Sequence, residues 1–217
     1  MPRRPDARLP ALTDSYSRLA PTYASRLGDE LRHKPLDCAL LSLLAAELRG
    51  QGLCLDLGCG PGHVGAALAA LGVTVEGVDI APGMIQTARS TFPTLSFREA
   101  DLRHLPHADG SAAGAVALYA LVNYPAREQV PFYQEFARVL RPGAPLLVAF
   151  HLGDARHDQA ELWGVPVNLS FFFESRARVE AALKKGGFDI QIRAERQPYP
   201  DVEYPSERAY LLARRCG

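Results

Sequence analysis

Short apolar runs and stretches with helical spacing alternate along the first 151 residues of the chain. The apolar runs that predict buried strands lie at 53–57, 73–80, 95–102, 113–124 and 144–151. The stretches that predict helices lie between them or just before them, at 36–49, 62–71, 81–92 and 126–143. Strands that alternate with helices in this way predict a mostly parallel sheet with helices on both faces.

The last third of the chain departs from this alternation. At residues 152–173 we expect a long irregular segment, a variable insertion on the substrate side of the fold. A helix with Ser175 as its N-cap follows, and after it come the runs FDIQIRAER (188–196) and ERAYLLARR (207–215). Because no helix separates these two runs, they predict a pair of antiparallel strands.

The N-terminal region predicts a tail and a lid. Residues 1–14 are rich in Pro and Arg, and we expect them to be poorly ordered. Residues 15–35 predict two short helices with a break at Pro21. Tyr16 and Tyr23 are seven residues apart and would share one helical face. They indicate either a capping helix with packed tyrosines or a lid that closes over a ligand.

Composition limits the domain count and the classes of partner. The chain has 217 residues, a length that fits one domain. We place this domain at 36–217, after a tail and lid helices at 1–35. Lys+Arg and Asp+Glu both number 24, a balance that argues against a general nucleic-acid binder. The sequence has no apolar run of about 18 residues and no apolar signal-peptide core, so we expect a cytoplasmic protein without a membrane partner.

The most informative stretch is LCLDLGCGPGHVG, in which a buried run is followed by glycines at alternate positions. Gly58, Gly60 and Gly62 lie between a predicted strand and a predicted helix and therefore form the turn between them. Glycine adopts positive φ and lets a ligand approach the main chain closely. Free N–H groups and the positive end of the helix dipole meet at such a turn, which predicts a nucleotide site.

Three acidic residues near this turn distinguish two ligand classes. The spacing GPGHVG fits the dinucleotide fingerprint GxGxxG, with Asp79 in the place of the ribose ligand. However, Asp56 lies inside the preceding strand, where it would repel a diphosphate, and Asp101 ends a third strand. A cationic nucleoside without phosphate would not be repelled by these acidic residues. Asp56 would face its positive charge directly or through water, Asp79 would bind a ribose diol and Asp101 an exocyclic amine.

The motifs LDLGCGPG, VDIAPGM, EADLRHLP and VLRPGAPLLVAF follow one another in this order. This set resembles the class I S-adenosylmethionine-dependent methyltransferase family, closely over 36–151 and more loosely through YSRLAPTYA and RAYLLARR. The resemblance implies an α/β fold with a doubly wound, Rossmann-like, seven-stranded and mostly parallel sheet. It implies the strand order 3-2-1-4-5-7-6 with strand seven antiparallel, and S-adenosylmethionine as the cofactor.

The resemblance also implies cofactor-binding residues by position. The backbone at the first strand and its turn would line the methionine part, residues after the second strand would hold ribose and adenine, and residues after the third would recognise the adenine edge. In that order they are Asp56, Gly58 and Gly60, then Asp79, Ile80 and Met84, then Asp101 and Leu102. Leu118, late in the fourth strand, would offer its carbonyl to the ammonium group. Tyr16 and Tyr23 complete the set from the lid.

Methyl transfer is an in-line displacement that depends on alignment and a dry pocket and needs no covalent intermediate. Substrate contacts are expected at the carboxyl edge of the sheet, at Tyr119, Asn123, Tyr124 and His151. Asn123, Tyr124 and His151 are the candidate catalytic residues, with His151 as a base, a hydrogen-bond donor or a buried structural histidine. The spacing HLPH lacks further ligands close by, so no metal site is expected.

The sequence therefore predicts methyl transfer to O, N or C of a small-molecule acceptor. A homologue that binds the cofactor without catalysis and an NAD-dependent oxidoreductase are the alternatives. The aromatic residues of 163–173 indicate core packing, a substrate wall or the surface of a possible homodimer.

Overall fold

The computed structural model describes residues 8–217, which form a seven-stranded sheet, a separate two-stranded sheet and the helices around them. The helices are α1 (Leu9–Leu27), α2 (Pro35–Leu48), α3 (His63–Ala70), α4 (Pro82–Thr91), α5 (Ala126–Val139) and α6 (Arg176–Lys185). The strands are β1 (Leu53–Leu57), β2 (Thr74–Asp79), β3 (Ser96–Glu99), β4 (Gly114–Leu118), β5 (Pro145–His151), β6 (Arg156–Leu162), β7 (Val165–Phe172), β8 (Phe188–Arg196) and β9 (Arg208–Arg215). A 3-10 helix (Glu30–His33) joins α1 to α2.

The large sheet has the strand order β3-β2-β1-β4-β5-β9-β8. Strands β1 to β5 run parallel, whereas β9 pairs antiparallel with both β5 and β8. This topology confirms the predicted doubly wound fold with an antiparallel last strand. The expected order 3-2-1-4-5-7-6 becomes 3-2-1-4-5-9-8 because the hairpin β6–β7, which lies outside the large sheet, intervenes in the chain.

Apolar side chains fill the space between the sheet and the helices on both faces. Leu44 of α2 and Leu68 of α3 are fully buried on one face, and Phe136 of α5 and Leu183 of α6 on the other. Each such side chain contributes about 1.5–3 kcal/mol of hydrophobic stabilisation. Because both faces are covered, β1, β4 and β5 bury nearly all their positions, so their sequences are continuous apolar runs.

The segment 152–173, which we expected to be irregular, contains the antiparallel hairpin β6–β7. Trp163 and Gly164 connect its strands with φ of 54° and 80°. Positive φ at both residues is typical of the two-residue turns that match the twist of a hairpin. The expectation was wrong because β6, with the sequence RHDQAEL, is partly or fully exposed along its whole length. No apolar alternation therefore marks it as a strand.

Helix α1 is continuous, although the sequence predicted poor order up to residue 14 and a break at Pro21. Pro21 lies inside the helix with its side chain exposed. A proline there costs one backbone hydrogen bond. Packing of α1 on α4 and β7 supplies stabilisation that the local sequence lacks. Residues 1–7, the rest of the expected tail, lie outside the described residues.

The fourth strand is shorter than expected, because β4 ends at Leu118 rather than at Tyr124. Tyr119 follows with φ of 57°, a left-handed conformation that is rare for a bulky side chain. Its backbone N–H donates to the Ala149 carbonyl at 2.8 Å, which fixes the start of the turn on β5. The turn then carries Asn123 over the carboxyl edge of the sheet.

Candidate active site

A cavity opens at the carboxyl ends of β1, β2 and β4, where open α/β sheets bind ligands. Its walls come from the loops after these strands and after β3, from α1, from the first turn of α4 and from the second turn of α5. Ten of the eleven predicted cofactor residues line it: Tyr16, Tyr23, Gly58, Gly60, Asp79, Ile80, Met84, Asp101, Leu102 and Leu118. Asn123 and Tyr124 line it as well, whereas Asp56 and His151 do not.

Sequence reasoning missed the apolar part of the wall. Besides Tyr119, which we expected to contact a substrate, this part consists of Leu9, Leu12, Ala120, Leu121 and Phe132. Two of these residues share one face of α1 with Tyr16 and Tyr23, at helical spacings of three, seven and fourteen from Leu9. That spacing was the available signal, and the Pro and Arg content of the tail obscured it.

The glycine turn has the backbone that its sequence predicts. Gly58, Gly60 and Gly62 all have positive φ, at 73°, 52° and 89°. A Cβ atom on Gly58 would lie 2.6 Å from Cβ of Ala120, so only glycine fits beside the turn after β4. The N–H of Gly58 donates to the Val78 carbonyl at 2.7 Å and so ties the turn to β2.

Asp79 joins the glycine turn to the start of α4. Its Oδ2 accepts from the N–H of Gly60 and its Oδ1 from the N–H of Ala81, both at 2.9 Å. Burial raises the pKa of this carboxyl group, and the two N–H groups oppose the shift. Because the carboxylate is held from the protein side and still lines the cavity, it can accept further hydrogen bonds from a ligand.

The side chain of Asp56 contacts the start of α3, and the residue does not line the cavity. Its Oδ2 accepts from the N–H of Gly65 at 2.8 Å, and the residue is only 2% exposed. Desolvation by burial raises its pKa to about 7, although His63 and the Gly65 N–H act in the opposite direction. Asp56 therefore joins β1 to the first turn of α3 and does not face a ligand charge in the cavity. The sequence alone could not show whether the Asp56 side chain points toward α3 or into the cavity, because the residue lies near the end of β1 in either case.

Asp101 and Leu102 line the cavity beyond β3, as predicted. The side chain of Arg103 reaches back and donates to Asp101, with 2.9 Å between Nη2 and Oδ2. Burial acts to raise the pKa of Asp101, but the hydrogen bonds from Arg103 outweigh it and the net shift is downward. Asp101 is therefore ionised at neutral pH and can accept from an amine.

The hairpin β6–β7 holds α1 over the cavity. The backbone N–H of Asn168 donates to Oγ of Ser15 at 2.9 Å, and Ser15 is fully buried. The rings of Tyr23 and Trp163 meet edge to face with centroids 5.7 Å apart. On its other side α1 packs so closely on α4 that a Cβ atom on Gly83 would lie 2.4 Å from the Ser17 carbonyl oxygen. These contacts give α1 the position that the lid hypothesis requires.

Asn123 and Tyr124 lie on the turn after β4 and line the cavity opposite α1. The hydroxyl of Tyr16 donates to Oδ1 of Asn123 at 2.9 Å. The Nδ2 group of Asn123 donates to the carbonyl of Ser170 at 3.0 Å. Tyr124 is buried against Phe132, with ring centroids 4.7 Å apart. The lid, the turn after β4 and the hairpin thus meet at one asparagine.

His151 lies behind the cavity wall and does not face the ligand space. Its ring stacks on Phe173 at 4.7 Å and lies 5.0 Å from the ring of Tyr119, which does line the cavity. Its Nδ1 is 2.7 Å from Oγ of Ser206. Burial and the positive charge of Arg208 lower the pKa of His151 to about 3, so its imidazole is neutral at physiological pH. Of the three roles considered, the position favours the structural one.

A buried ionic network supports the cavity from behind Tyr119. The hydroxyl groups of Tyr119 and Tyr210 are 3.3 Å apart, and Tyr210 donates to Oδ2 of Asp37 at 2.9 Å. Arg196 donates to the same oxygen at 3.0 Å and also pairs with Glu203. Burial acts to raise the pKa of Glu203, but the hydrogen bonds from Arg196 and the Tyr199 N–H, together with nearby positive charges, outweigh it and lower the value to about 2. A satisfied network of this kind gives the wall one defined arrangement.

The polar groups of the cavity wall are mainly hydrogen-bond acceptors. Among the residues that the structure describes, no lysine, arginine or histidine lines this cavity. No group of three or more His, Cys, Asp or Glu residues suited to a metal ion occurs within 8–217 either. In the same range, every helix is too short or too polar to cross a bilayer.

Comparisons with known proteins agree with the resemblance to methyltransferases. Residues 54–143 match the family model described as Methyltransferase domain. The chain is 39% identical over 102 residues to Methyltransferase GfsG of Streptomyces halstedii, a match that covers 44% of this chain and 36% of that protein. It is 29% identical over 165 residues to sterol 4-C-methyltransferase strm-1 of Caenorhabditis elegans, covering 70% and 48%. The matched regions span about a third to a half of these relatives' lengths.

A similar fold occurs among solved structures. 1,6-didemethyltoxoflavin-N1-methyltransferase of Burkholderia thailandensis, solved with bound 1,6-didemethyltoxoflavin and S-adenosylhomocysteine, matches with a TM-score of 0.76. The match covers 100% of this chain and 92% of that chain, at 16% identity. At this level of identity the likeness establishes a shared fold.

Proposed function

Since this chain is a class I S-adenosylmethionine-dependent methyltransferase by its domain match, its motifs and its sheet order, we propose that it methylates a small organic molecule. The observation that carries the proposal is the cavity beneath α1. It joins the glycine turn, Asp79 and Asp101 to an apolar and aromatic wall at the carboxyl edge of the sheet.

The polar groups of this cavity fit a cationic nucleoside. S-adenosylmethionine presents a ribose diol, an adenine amine and a positively charged sulfonium, and it has no phosphate. Asp79 and Asp101 supply acceptors for the first two, and no described lysine or arginine in the wall would bind a diphosphate. The same chemistry disfavours the NAD-dependent alternative.

Each part of the cofactor has a candidate partner in this chain. Asp79 would hold the ribose, Ile80 and Met84 would enclose the adenine, and Asp101 would accept from its amine. The backbone at Gly58 and Gly60 would lie along the methionine part, and Leu118 would offer its carbonyl to the ammonium group. Asp56 is left out of this set because it does not line the cavity.

The bound cofactor supplies an electrophilic methyl group whose leaving group is a neutral thioether. The residues of this chain orient the two reactants and exclude water. Helix α1 covers the site, and the hairpin β6–β7 holds α1 in place through Ser15 and Trp163. His151 lies behind the wall, and its pKa of about 3 makes it too weak a base for a role in this proposal. Alignment and desolvation therefore carry the catalysis.

The cavity favours a small and largely apolar acceptor. Leu9, Leu12, Leu121 and Phe132 form the apolar wall next to Tyr124. A cavity beneath a helix and a hairpin suits a small molecule better than a polymer, and the neutral charge of the chain gives no basic footprint for nucleic acid. The structural relative from Burkholderia thailandensis, with its bound 1,6-didemethyltoxoflavin, supports an aromatic acceptor by analogy.

Calorimetric titration of the whole chain with S-adenosylmethionine, S-adenosylhomocysteine and NAD⁺ tests the cofactor. We expect the first two to bind and NAD⁺ not to bind, and the reverse result would favour an oxidoreductase. Incubation with S-adenosylmethionine and a library of small aromatic acceptors then tests the reaction. Formation of S-adenosylhomocysteine together with a methylated product supports it. Cofactor binding without turnover on any acceptor would favour the non-catalytic alternative.

A further inference from the structure

The ammonium group of Lys34 lies among three segments around the cavity. Lys34 is the N-cap residue of α2 and is only 4% exposed. Its Nζ donates to Oε2 of Glu30, just beyond the lid helix α1, at 2.7 Å. The same nitrogen lies 3.3 Å from Oε2 of Glu203, in the loop 197–207 between β8 and β9, and 5.7 Å from the ring centroid of Tyr119. One buried cation therefore joins the end of the lid, the cavity wall and a loop outside the cavity.

Glu30 links Lys34 to the glycine turn. Burial acts to raise the pKa of Glu30, but the hydrogen bond from His63 and the charge of Lys34 outweigh it, and the net shift is downward. Glu30 is therefore ionised at neutral pH and can only accept. Its Oε1 accepts from Nε2 of His63, the first residue of α3, at 3.2 Å. This contact ties the end of the lid to the turn along which the cofactor is expected to lie.

The loop 197–207 supports the wall of the cavity from behind. Oγ of Ser206 is 2.7 Å from Nδ1 of His151, and the ring of His151 lies 5.0 Å from that of Tyr119, which lines the cavity. No described residue of the loop lines the cavity itself. An effect of a bound ligand on this loop therefore has to be transmitted by the residues that hold the loop in place.

Lys34 also keeps two carboxylates together in a place that water hardly reaches. The side chains of Glu30 and Glu203 are 13% and 3% exposed, and one oxygen of each lies within 3.3 Å of the ammonium group. Carboxylates that share such a place repel each other unless a cation lies between them. Loss of the ammonium group would therefore drive the end of the lid and the loop apart.

We propose that Lys34 is a positioning residue that couples the loop 197–207 to the lid, so that a cofactor bound beneath α1 also orders this loop behind Tyr119. This inference rests on the proposed function. A ligand that holds α1 closed fixes Glu30, Glu30 fixes the ammonium group of Lys34, and the ammonium group fixes Glu203. The wall against which an acceptor would rest is then set when the cofactor arrives.

Hydrogen exchange of the whole chain, followed by mass spectrometry with and without S-adenosylhomocysteine, tests this without knowledge of the acceptor. The measure is the ratio of the exchange rates of 197–207 without and with the ligand. A merely structural role of Lys34 would change both rates and leave their ratio unaltered. In the wild type we expect the ligand to slow exchange in this loop about fivefold or more, as is usual for coupled sites.

Lys34→Met keeps an unbranched side chain and removes the charge. It should still bind S-adenosylhomocysteine, because Lys34 does not line the cavity. The slowing of exchange in the loop should fall below about twofold, since the coupling is lost. Lys34→Arg, which restores a cation between Glu30 and Glu203, should recover a slowing of about threefold or more.

Glu30→Gln is a second variant, needed if Lys34→Met folds poorly. It keeps an acceptor oxygen for His63 and removes the charge that faces Lys34, while the pair of Lys34 with Glu203 stays. The loop should then keep its contacts but respond less than about twofold to the ligand.

Glu180→Gln is the matched control. Oε1 of Glu180 accepts from Arg176, four residues earlier on α6, at 2.7 Å and from Arg193 on β8 at 2.8 Å. Its side chain is 14% exposed, close to the 13% of Glu30, and it does not line the cavity. This variant should keep the wild-type ratio within about twofold, and a loss of the ratio as large as in Glu30→Gln would count against the inference.

Two further results would overturn the inference and leave the proposed function intact. One is an unchanged exchange rate in the loop when the wild type binds S-adenosylhomocysteine. The other is a wild-type ratio in both Lys34→Met and Glu30→Gln. Failure of the wild type to bind either S-adenosylhomocysteine or S-adenosylmethionine would instead overturn the proposed function, and this inference with it.

Discussion

The carboxylate of Asp56 accepts a hydrogen bond from the backbone N–H of Gly65 at 2.8 Å, and this contact joins β1 to the first turn of α3. The first four N–H groups of a helix have no partner within the helix. Asp56 satisfies one of them, at the Gly65 N–H. The acid inside the glycine motif therefore holds the turn in shape, and its effect on a ligand passes through that turn.

Replacement of Asp56 by Ala should lower stability. The Gly65 N–H would lose its partner in a buried place, which costs about 1–3 kcal/mol. We expect cofactor affinity to fall only as far as the turn loosens, so that Asp56→Asn, which keeps an acceptor oxygen, restores most of it. Urea unfolding and calorimetry on both variants measure the two effects. A large loss of cofactor affinity in Asp56→Asn with normal stability would instead indicate that Asp56 contacts the cofactor in the cavity.

The raised pKa of Asp56 predicts a pH dependence of stability. An unfolded aspartate has a pKa of about 3.9, whereas that of Asp56 in the fold is about 7. The folded protein keeps a proton that the unfolded chain loses, so this stabilising contribution is complete below pH 4 and is lost as pH rises through 7. Asp56→Asn does not titrate, so between pH 5 and 8 the wild type should lose roughly 2 kcal/mol or more relative to it. Urea unfolding of both proteins without cofactor, at several pH values, measures this difference. Parallel curves of unfolding free energy against pH would contradict the raised pKa of Asp56.

Asp79→Asn should weaken S-adenosylmethionine binding at least tenfold. Both oxygens of Asp79 accept backbone N–H groups, from Gly60 and Ala81, and an amide would turn its NH₂ group toward one of these donors. The variant also removes charge-assisted acceptors for a ribose diol. Asp189→Asn, an exposed position on β8, is the control. If calorimetry gives both variants the same affinity, Asp79 has no part in the site.

Ser15→Ala should loosen the lid. It removes the acceptor for the Asn168 N–H and so weakens the attachment of α1 to the hairpin by about 1 kcal/mol, or about fivefold in the rate of cofactor release. Trp163 is the only tryptophan in the chain and packs on Tyr23 of the lid, so its fluorescence can follow release in a stopped-flow experiment.

The matched control for the lid is Ser42→Ala on α2. Its hydroxyl donates to the carbonyl four residues earlier at 2.8 Å, as that of Ser15 does at 2.7 Å, and Ser42 is exposed. Equal release rates in the two variants would mean that the hairpin does not hold the lid.

The imidazole of His151 should stay neutral from pH 8 down to pH 5. Its pKa of about 3 lies below the value of about 6.5 in an unfolded chain, so its contribution to stability is full above pH 6.5 and is lost as pH falls toward 3. The ¹⁵N chemical shifts of its ring, assigned with His151→Gln, check this, and the urea-unfolded protein provides the reference titration. A midpoint near 6.5 in the folded protein would restore His151 as a candidate base.

Local pattern was sufficient for the sheet and for most of the cavity. Strands covered on both faces leave continuous apolar runs, and the carboxyl ends of parallel strands meet at one edge whatever the details of packing. For that reason Asp79, Asp101 and the glycine turn could be placed together from the sequence. Strand β6 left no such trace, because its positions are partly or fully exposed and carry no apolar alternation.

The sequence by itself determined the alternation of strands and helices through residue 151 and the edge of the sheet that forms the site, since hydrophobic periodicity and glycine conformations are local properties. The strand order was implied by the family resemblance. The tertiary structure decided where side chains at that edge point and what covers them. It turned Asp56 toward Gly65, moved His151 behind the wall and extended α1 across Pro21. Each of these outcomes depends on contacts between residues far apart in the chain, as does the hydrogen bond from Tyr16 to Asn123, which spans 107 positions. No local pattern encodes such contacts, because their energies arise only when packing brings the partners together.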